Sequence, residues 1–560
     1  MHYLKCCPWQ PCMPLCKAQW NELPFGATHN PIPTPTPFVT WSPRSPFYQA
    51  LENPIFNDDD LIDPPPQMWS AETPQQISTT RTMEVKTFTE YPAVAKSLSK
   101  DDFAIVIHLK APGMESGMAE PARAPLDLVT VLDVSGSMSG AKLHLLKQAM
   151  TFVIQNLGPA DRLSIVSFSS RARRLIRLTR MSNEGVQQAL NAVGSLNAGG
   201  GTNIAEGLRK GAKVLEESRY KNPVNSIMLL SDGQDTYSSG SNYDCLLPPS
   251  ILHPTGRAIP IHTFGFGSDH DSLAMHRIAE ASGGTFSFIE DTSSIQDAFA
   301  QCIGGLLSVV AQETHVTLES ANHGVKITGI KSGSYESRVE NGGLNGSIDV
   351  GDLYADEQRS FLLFVIVPRS GIEGPTTVIK VNMTYKDAAT GSVVELGEQE
   401  VSIERPETVT NNQINIEVER ETVRVQAMED MVAARAAAER GAMDEAVEIL
   451  ESRQREVHAS PLAQSGDLAC EQLQDELKEM GRRMSTRMSY AQSGRAYTLA
   501  GLSAHTKQRA TSHRSSIQSD AALFGSPGAS VGYQTPAMQQ MVMKSQLLLR
   551  SEPSLPDKLP

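Results

Sequence analysis

The stretch Leu126-Asp127-Leu128-Val129-Thr130-Val131-Leu132-Asp133-Val134-Ser135-Gly136-Ser137 decides how the rest of this chain is read. It opens as a mostly apolar run that stops at turn-forming residues, the pattern of a strand buried on both faces of a helix-covered parallel sheet. Directly after the run come one carboxylate and two hydroxyls. Oxygen donors gathered in a loop at a strand's end suit a hard divalent cation, Mg²⁺ or Mn²⁺, which prefers an octahedron of oxygens at about 2.0 to 2.1 Å. With few protein charges around it, such a cation stays electrophilic and keeps a position for a partner's carboxylate. The same residue types also form turns and cap helices, so the pentapeptide read alone equally describes the approach to a helix near Lys142.

Two further pieces change the weighing. Gly199-Gly200-Gly201-Thr202-Asn203 places a hydroxyl on a glycine-rich loop before another helix, and Ser226-Ile227-Met228-Leu229-Leu230-Ser231-Asp232-Gly233 places a second carboxylate after another apolar strand. From Leu126 to about Gly305 apolar strands alternate with helical patterns, and Leu143, Leu146, Met150, Val153 and Leu157 lay an apolar stripe along the first helix. That alternation predicts a doubly wound, mostly parallel α/β sheet over about 125–305. In open α/β sheets ligands bind beyond the carboxyl ends of the strands. Asp133, Ser135, Ser137, Thr202 and Asp232 all fall at or near such ends.

These residues resemble the metal-ion-dependent adhesion site of the von Willebrand factor type A domain, an Asp-x-Ser-x-Ser element followed by a Thr and then an Asp. The resemblance implies that Ser135 and Ser137 bind the metal directly and that Thr202 joins when a ligand is bound. It implies that Asp133 and Asp232 act directly or through water.

Strand-like alternation at Met83-Glu84-Val85-Lys86-Thr87-Phe88 and at Phe103-Ala104-Ile105-Val106-Ile107-His108-Leu109-Lys110 precedes this unit, and strand patterns return over 311–405. The economical reading is one β-sandwich, built from 83–115 and 311–405, with the α/β domain inserted. Asp387-Ala388-Ala389-Thr390-Gly391 reads as a hairpin loop. Residues 413–490 turn rich in Ala, Glu, Arg and Met, broken by Gly441, and predict two or three packed helices. A type A domain ringed by strands and followed by helices is similar to plant proteins whose C-terminal region interacts with that domain. The Ser-, Gln- and Met-rich tail over 503–560 reads as disordered, and the Pro-rich stretch 26–80, with its acidic cluster Asp58-Asp59-Asp60, reads as a linker. Arg171, Arg173, Arg174 and Arg177 read as charges protecting an exposed strand edge.

Of the chain's 7 cysteines, Cys6, Cys7, Cys12 and Cys16 crowd the N-terminus. The segment around Cys12 and Cys16 resembles the closing portion of a RING finger. A complete RING has eight interleaved Cys or His ligands, so 1–25 resembles a remnant of one. The four cysteines have the number of ligands a tetrahedral Zn²⁺ needs, although adjacent Cys6 and Cys7 make the geometry awkward. The combination is similar to plant ubiquitin ligases of the wavy-growth type, which join an N-terminal RING to a type A domain. That resemblance implies ubiquitination machinery, or a RING-bearing relative, as a partner.

The 560 residues carry 49 basic and 63 acidic side chains, a net charge of −14, which argues against a general nucleic-acid or membrane surface. No run approaches the length a membrane-spanning helix needs, and the N-terminus lacks the apolar core of a signal peptide, so a cytoplasmic location is expected. A disulfide framework is not expected from so few scattered cysteines. An enzyme reading exists as well: Ser139-Gly140-Ala141-Lys142, Ser231-Asp232-Gly233 and Lys331-Ser332-Gly333 imitate the ordered elements of penicillin-binding enzymes, with Ser139 as nucleophile and Lys142 as its base. The expectation preferred over these is cation-dependent recognition of a protein bearing an exposed Asp or Glu, in which no bond is broken.

Overall fold

The computed structural model describes residues 56–62, 82–114, 123–237, 247–252, 258–268, 270–410, 412–512 and 532–551. The four N-terminal cysteines, and the RING-like reading built on them, lie outside these residues. Strands β1 (Glu84–Thr89) and β2 (Lys100–Lys110) pair antiparallel. In β2, Phe103, Ile105, Ile107 and Leu109 enter one apolar cluster and Ala104 and Val106 enter another, so both sides of the alternation are buried.

The chain then leaves this sheet. It runs through β3 (Leu126–Asp133), α1 (Ala141–Asn156), β4 (Arg162–Phe168), β5 (Ala172–Arg180), α2 (Asn183–Gly194), α3 (Ile204–Glu217) and β6 (Val224–Ser231), and continues through α4 (Pro249–Leu252), β7 (Ile261–Phe266), α5 (Ser272–Ser282), β8 (Phe286–Ile289) and α6 (Ile295–Leu306). The strand order is β5-β4-β3-β6-β7-β8, parallel throughout except for the antiparallel edge strand β5. One face packs on α3 and α5, the other on α1, α2 and α6. From β3 the chain winds first to β4 on one side and later to β6 on the other, so the crevice beyond β3 and β6 is the topological switch point where such sheets bind ligands.

Strands β9 (Val309–Ser320), β10 (Lys326–Lys331), β11 (Glu336–Glu340), β12 (Asn345–Tyr354), β13 (Gln358–Val367), β14 (Pro375–Asp387) and β15 (Val393–Glu404) return to the flanking layer. They complete two antiparallel sheets, β1-β2-β13-β10 and β11-β12-β9-β14-β15, closed on one apolar core. The α/β unit is thus inserted between β2 and β9. Asp387 accepts from the Thr390 amide at 2.8 Å and shapes the turn between β14 and β15.

Helices α7 (Ile416–Glu439), α8 (Met443–Ala459), α9 (Pro461–Gln464), α10 (Leu468–Met484), α11 (Arg487–Ser489) and α12 (Arg495–Lys507) follow. Val418 and Val425 of α7 cover Ala104, Val106 and Leu362 of the sandwich. Met431, Leu477, Met480 and Leu499 share an apolar cluster with the α/β sheet. Arg483 donates to Glu290, just past β8, at 2.8 and 2.9 Å.

Two expectations change. The tail over 503–560 is not wholly disordered, because α12 runs to Lys507 and α13 (Pro536–Ser551) is a helix lying on α6. Met538 is buried there, and a Cβ on Gly304 would stand 3.0 Å from both Ala537 O and Met541 Cβ, so the helices approach backbone to backbone. Ser545 seals the contact by donating to Asp297 at 2.7 Å. Within the Pro-rich stretch, 56–62 is docked on the α/β unit. The Asp60 amide donates to Leu178 O at 3.0 Å, Asp58 pairs with Arg174 and Asp60 with Arg177, each at 2.7 Å, and Phe56 is buried. Arg173, Arg174 and Arg177 lie on the edge strand β5 and Arg171 just before it, and Arg174 and Arg177 hold this strap.

Candidate metal centre

Asp133 ends β3, one step beyond the paired residues Leu132 and Leu230, so it faces Ser231 at the end of β6. Ser231 Oγ donates to Asp133 Oδ2 at 2.6 Å, while the Ser135 amide donates to Oδ1 at 2.8 Å. From there the hydroxyls run on. Ser135 Oγ lies 3.0 Å from Ser137 Oγ, which donates to Asp232 Oδ1 at 2.7 Å. Asp232 Oδ2 accepts from the ammonium of Lys142 in the first turn of α1. Asp133, Ser135, Thr202 and Asp232 are buried, and Ser137 is exposed, so the cluster opens to solvent at Ser137.

Thr202 enters from the third loop. A Cβ on Gly233 would lie 3.1 Å from Thr202 Oγ1 and 3.5 Å from Ser137 Oγ, so both hydroxyls border the space above that glycine. Gly200 adopts φ +86° and leaves room for the Ser170 hydroxyl, which a Cβ there would meet at 2.9 Å. The loop is stitched in place by Gly199 N to Val134 O at 2.8 Å, Gly136 N to Gly200 O at 3.0 Å, and Thr236 N to Thr202 O at 2.9 Å. The three glycines therefore serve shape and close approach. The five residues singled out in sequence come together in one place. Ser231, Lys142 and Thr236 join them without having been assigned to the metal site, although Ser231 is the chain neighbour of Asp232.

Burial pushes the Asp133 carboxyl up to about 6, against the hydrogen bonds from Ser231 and Ser135 that favour its ionised form, and the Asp232 charge adds to the rise. Two buried carboxylates side by side are what a divalent cation relieves. The donor set is oxygen only, three hydroxyls and two carboxylates, which fits a hard cation. Among the described residues no group of three His, Cys, Asp or Glu could hold a metal, so any centre here depends on its hydroxyls.

Lys142, the base in the Ser139 reading, is ion-paired with Asp232. Lys331 pairs instead with Glu429, at the sandwich, away from this centre. His262 is an interior residue whose Nδ1 bonds the Thr285 hydroxyl at 2.8 Å.

A six-stranded doubly wound sheet with this constellation at its switch point defines a von Willebrand factor type A domain, and residues 127–301 match the model of that family. A second match, to the family described as VWA / Hh protein intein-like, covers 467–547, from the start of α10 into α13. The chain is 34% identical over 325 residues to the E3 ubiquitin-protein ligase WAV3 of Arabidopsis thaliana, covering 56% of this chain and 41% of that one. It is 31% identical over 437 residues to the probable E3 ubiquitin-protein ligase WAVH2 of the same plant, covering 71% and 58%. The chain thus spans about half the length of the curated relatives it matches. A solved von Willebrand factor type A structure from Catenulispora acidiphila superposes with a TM-score of 0.57 at 21% identity, covering 73% of this chain and 91% of that one. That likeness bears on the fold alone. No helix among the described residues is long and apolar enough to cross a membrane.

Proposed function

We propose that this chain recognises protein partners through a divalent cation, Mg²⁺ or Mn²⁺, held by Asp133, Ser135, Ser137, Thr202 and Asp232. The observation that carries the reading is the convergence of these five residues at the switch point with Ser137 alone open to solvent. When bound, the cation supplies a Lewis-acidic position for an Asp or Glu of the partner. Asp133 is held by Ser231 and Ser135, Asp232 by Ser137 and Lys142, and the Thr202 loop by its backbone bonds, so the donors are set in advance of binding. Calorimetric titration of Mg²⁺ and Mn²⁺ into the full chain tests it: wild type is expected to bind one equivalent, and Asp133→Ala none. Equal binding by both would sink the idea.

The similarity to WAV3 and WAVH2 favours a second layer to this reading. Here the type A domain selects substrate for ubiquitin transfer, supplied through the N-terminal cysteines with Zn²⁺ or by a RING-bearing relative. Zinc content of the purified chain, together with ubiquitin chain formation with and without such a relative, separates the two sources. Transfer in neither mixture would exclude both.

A further inference from the structure

Lys142 stands where a helix least favours a cation. It lies in the first turn of α1, the positive end of the helix dipole, with no acidic residue in that turn. Its stem nevertheless brings the ammonium back onto Asp232 Oδ2, with the nitrogen 5.3 Å from the Phe266 ring centroid and the side chain only 27% exposed. Asp232 itself is fully buried, and its other oxygen faces Ser137. The ammonium therefore neutralises the buried carboxylate from the side away from the hydroxyls and leaves Oδ1 turned toward them.

We propose that Lys142 sets the charge of the centre so that a bound divalent cation keeps a surplus for the partner's carboxylate. The inference rests on the cation-dependent reading above. Two carboxylates and one ammonium amount to one negative charge. A divalent cation brings the centre to one positive charge, and an incoming carboxylate closes it to neutral. Without Lys142 the loaded centre is already neutral, and a carboxylate would add an uncompensated charge among buried groups, which is costly. Lys142 is thus expected to weaken cation binding and to strengthen carboxylate capture.

The test is Mn²⁺ titration of the full chain, followed by electron paramagnetic resonance of the free ion, with and without acetate as the carboxylate probe. Lys142→Met should bind Mn²⁺ about tenfold more tightly than wild type, as expected for removing a nearby like charge. Acetate should tighten Mn²⁺ binding in wild type and not in Lys142→Met, and Lys142→Arg, which keeps the charge, should behave as wild type. Equal or weaker Mn²⁺ binding by a folded Lys142→Met, or the same acetate effect in both, overturns the inference while leaving cation binding standing. Failure of wild type itself to bind Mn²⁺ overturns the underlying reading and this inference with it.

Discussion

Ser231 Oγ and Asp133 Oδ2 meet at 2.6 Å across the parallel pair β3 and β6, with both residues fully buried. This bond turns Asp133 so that its other oxygen takes the Ser135 amide, and it connects the end of one strand to the orientation of a carboxylate on the next. A partner that orients a metal-binding carboxylate is commonly worth 10- to 100-fold in metal affinity. Ser231→Ala is therefore expected to weaken Mg²⁺ binding by about tenfold or more while lowering stability by about 1 to 3 kcal/mol, the usual cost of losing a buried hydrogen bond to a charged group. Calorimetric titration and urea unfolding check the two numbers separately. Unchanged metal affinity would mean that Asp133 does not need this bond.

The contact of α13 with α6 depends on Gly304 having no side chain, since a Cβ would press on Ala537, Met538 and Met541. In Gly304→Leu the terminal helix should lose its seat while the sheet keeps its own core. Hydrogen exchange over 536–551 is expected to speed up by about tenfold or more, corresponding to at least 1.4 kcal/mol of lost local stability. Strand β3 should exchange as in wild type. Slow exchange retained over 536–551 would show that the helix packs without this close approach.

His262 supplies a dependence on pH. Burial depresses its imidazole from 6.5 to about 3, with the Arg509 and Lys507 charges adding to the drop, so the folded chain keeps it neutral. The unfolded chain takes up a proton below about 6.5, so the stability associated with neutral His262 is complete above that pH and is lost on acidification toward 3, at about 1.4 kcal/mol per pH unit. Between pH 7.5 and 5 this one group should account for about 2 kcal/mol of lost stability. Urea unfolding at the two pH values should show a difference smaller by that amount in His262→Gln, and an equal difference in both proteins would refute the assignment.

Part of the cluster around Asp133 is legible in the sequence. Asp133, Ser135 and Ser137 are neighbours in the chain, so their convergence is local, and the apolar run before them announces the strand that carries them. Thr202 and Asp232 could be placed only by family pattern and by the rule that strand ends collect ligands. Their proximity to Ser137 depends on the order β4-β3-β6, which sequence spacing does not state. Lys142 was visible only as part of a different motif. Its true partner lies 90 residues away, and nothing local distinguishes a lysine that reaches a buried carboxylate from one that reaches water. The tail misled for a related reason: a Met- and Gln-rich segment lacks a strong apolar stripe of its own, and becomes an ordered helix through the glycine-lined surface of α6.

The amino-acid sequence by itself determined the strand and helix periods, the oxygen donors at the end of β3, and the alternation that forces a doubly wound sheet. These follow from side-chain chemistry and backbone geometry within a few residues. Only the tertiary structure decided that 56–62 straps the edge strand, that α13 lies on α6, that Ser231 orients Asp133, and that Lys142 compensates Asp232. Each of these joins groups far apart in the chain. A local pattern shows that a surface or a charge needs a partner, but which partner reaches it is settled by the packing of the whole chain.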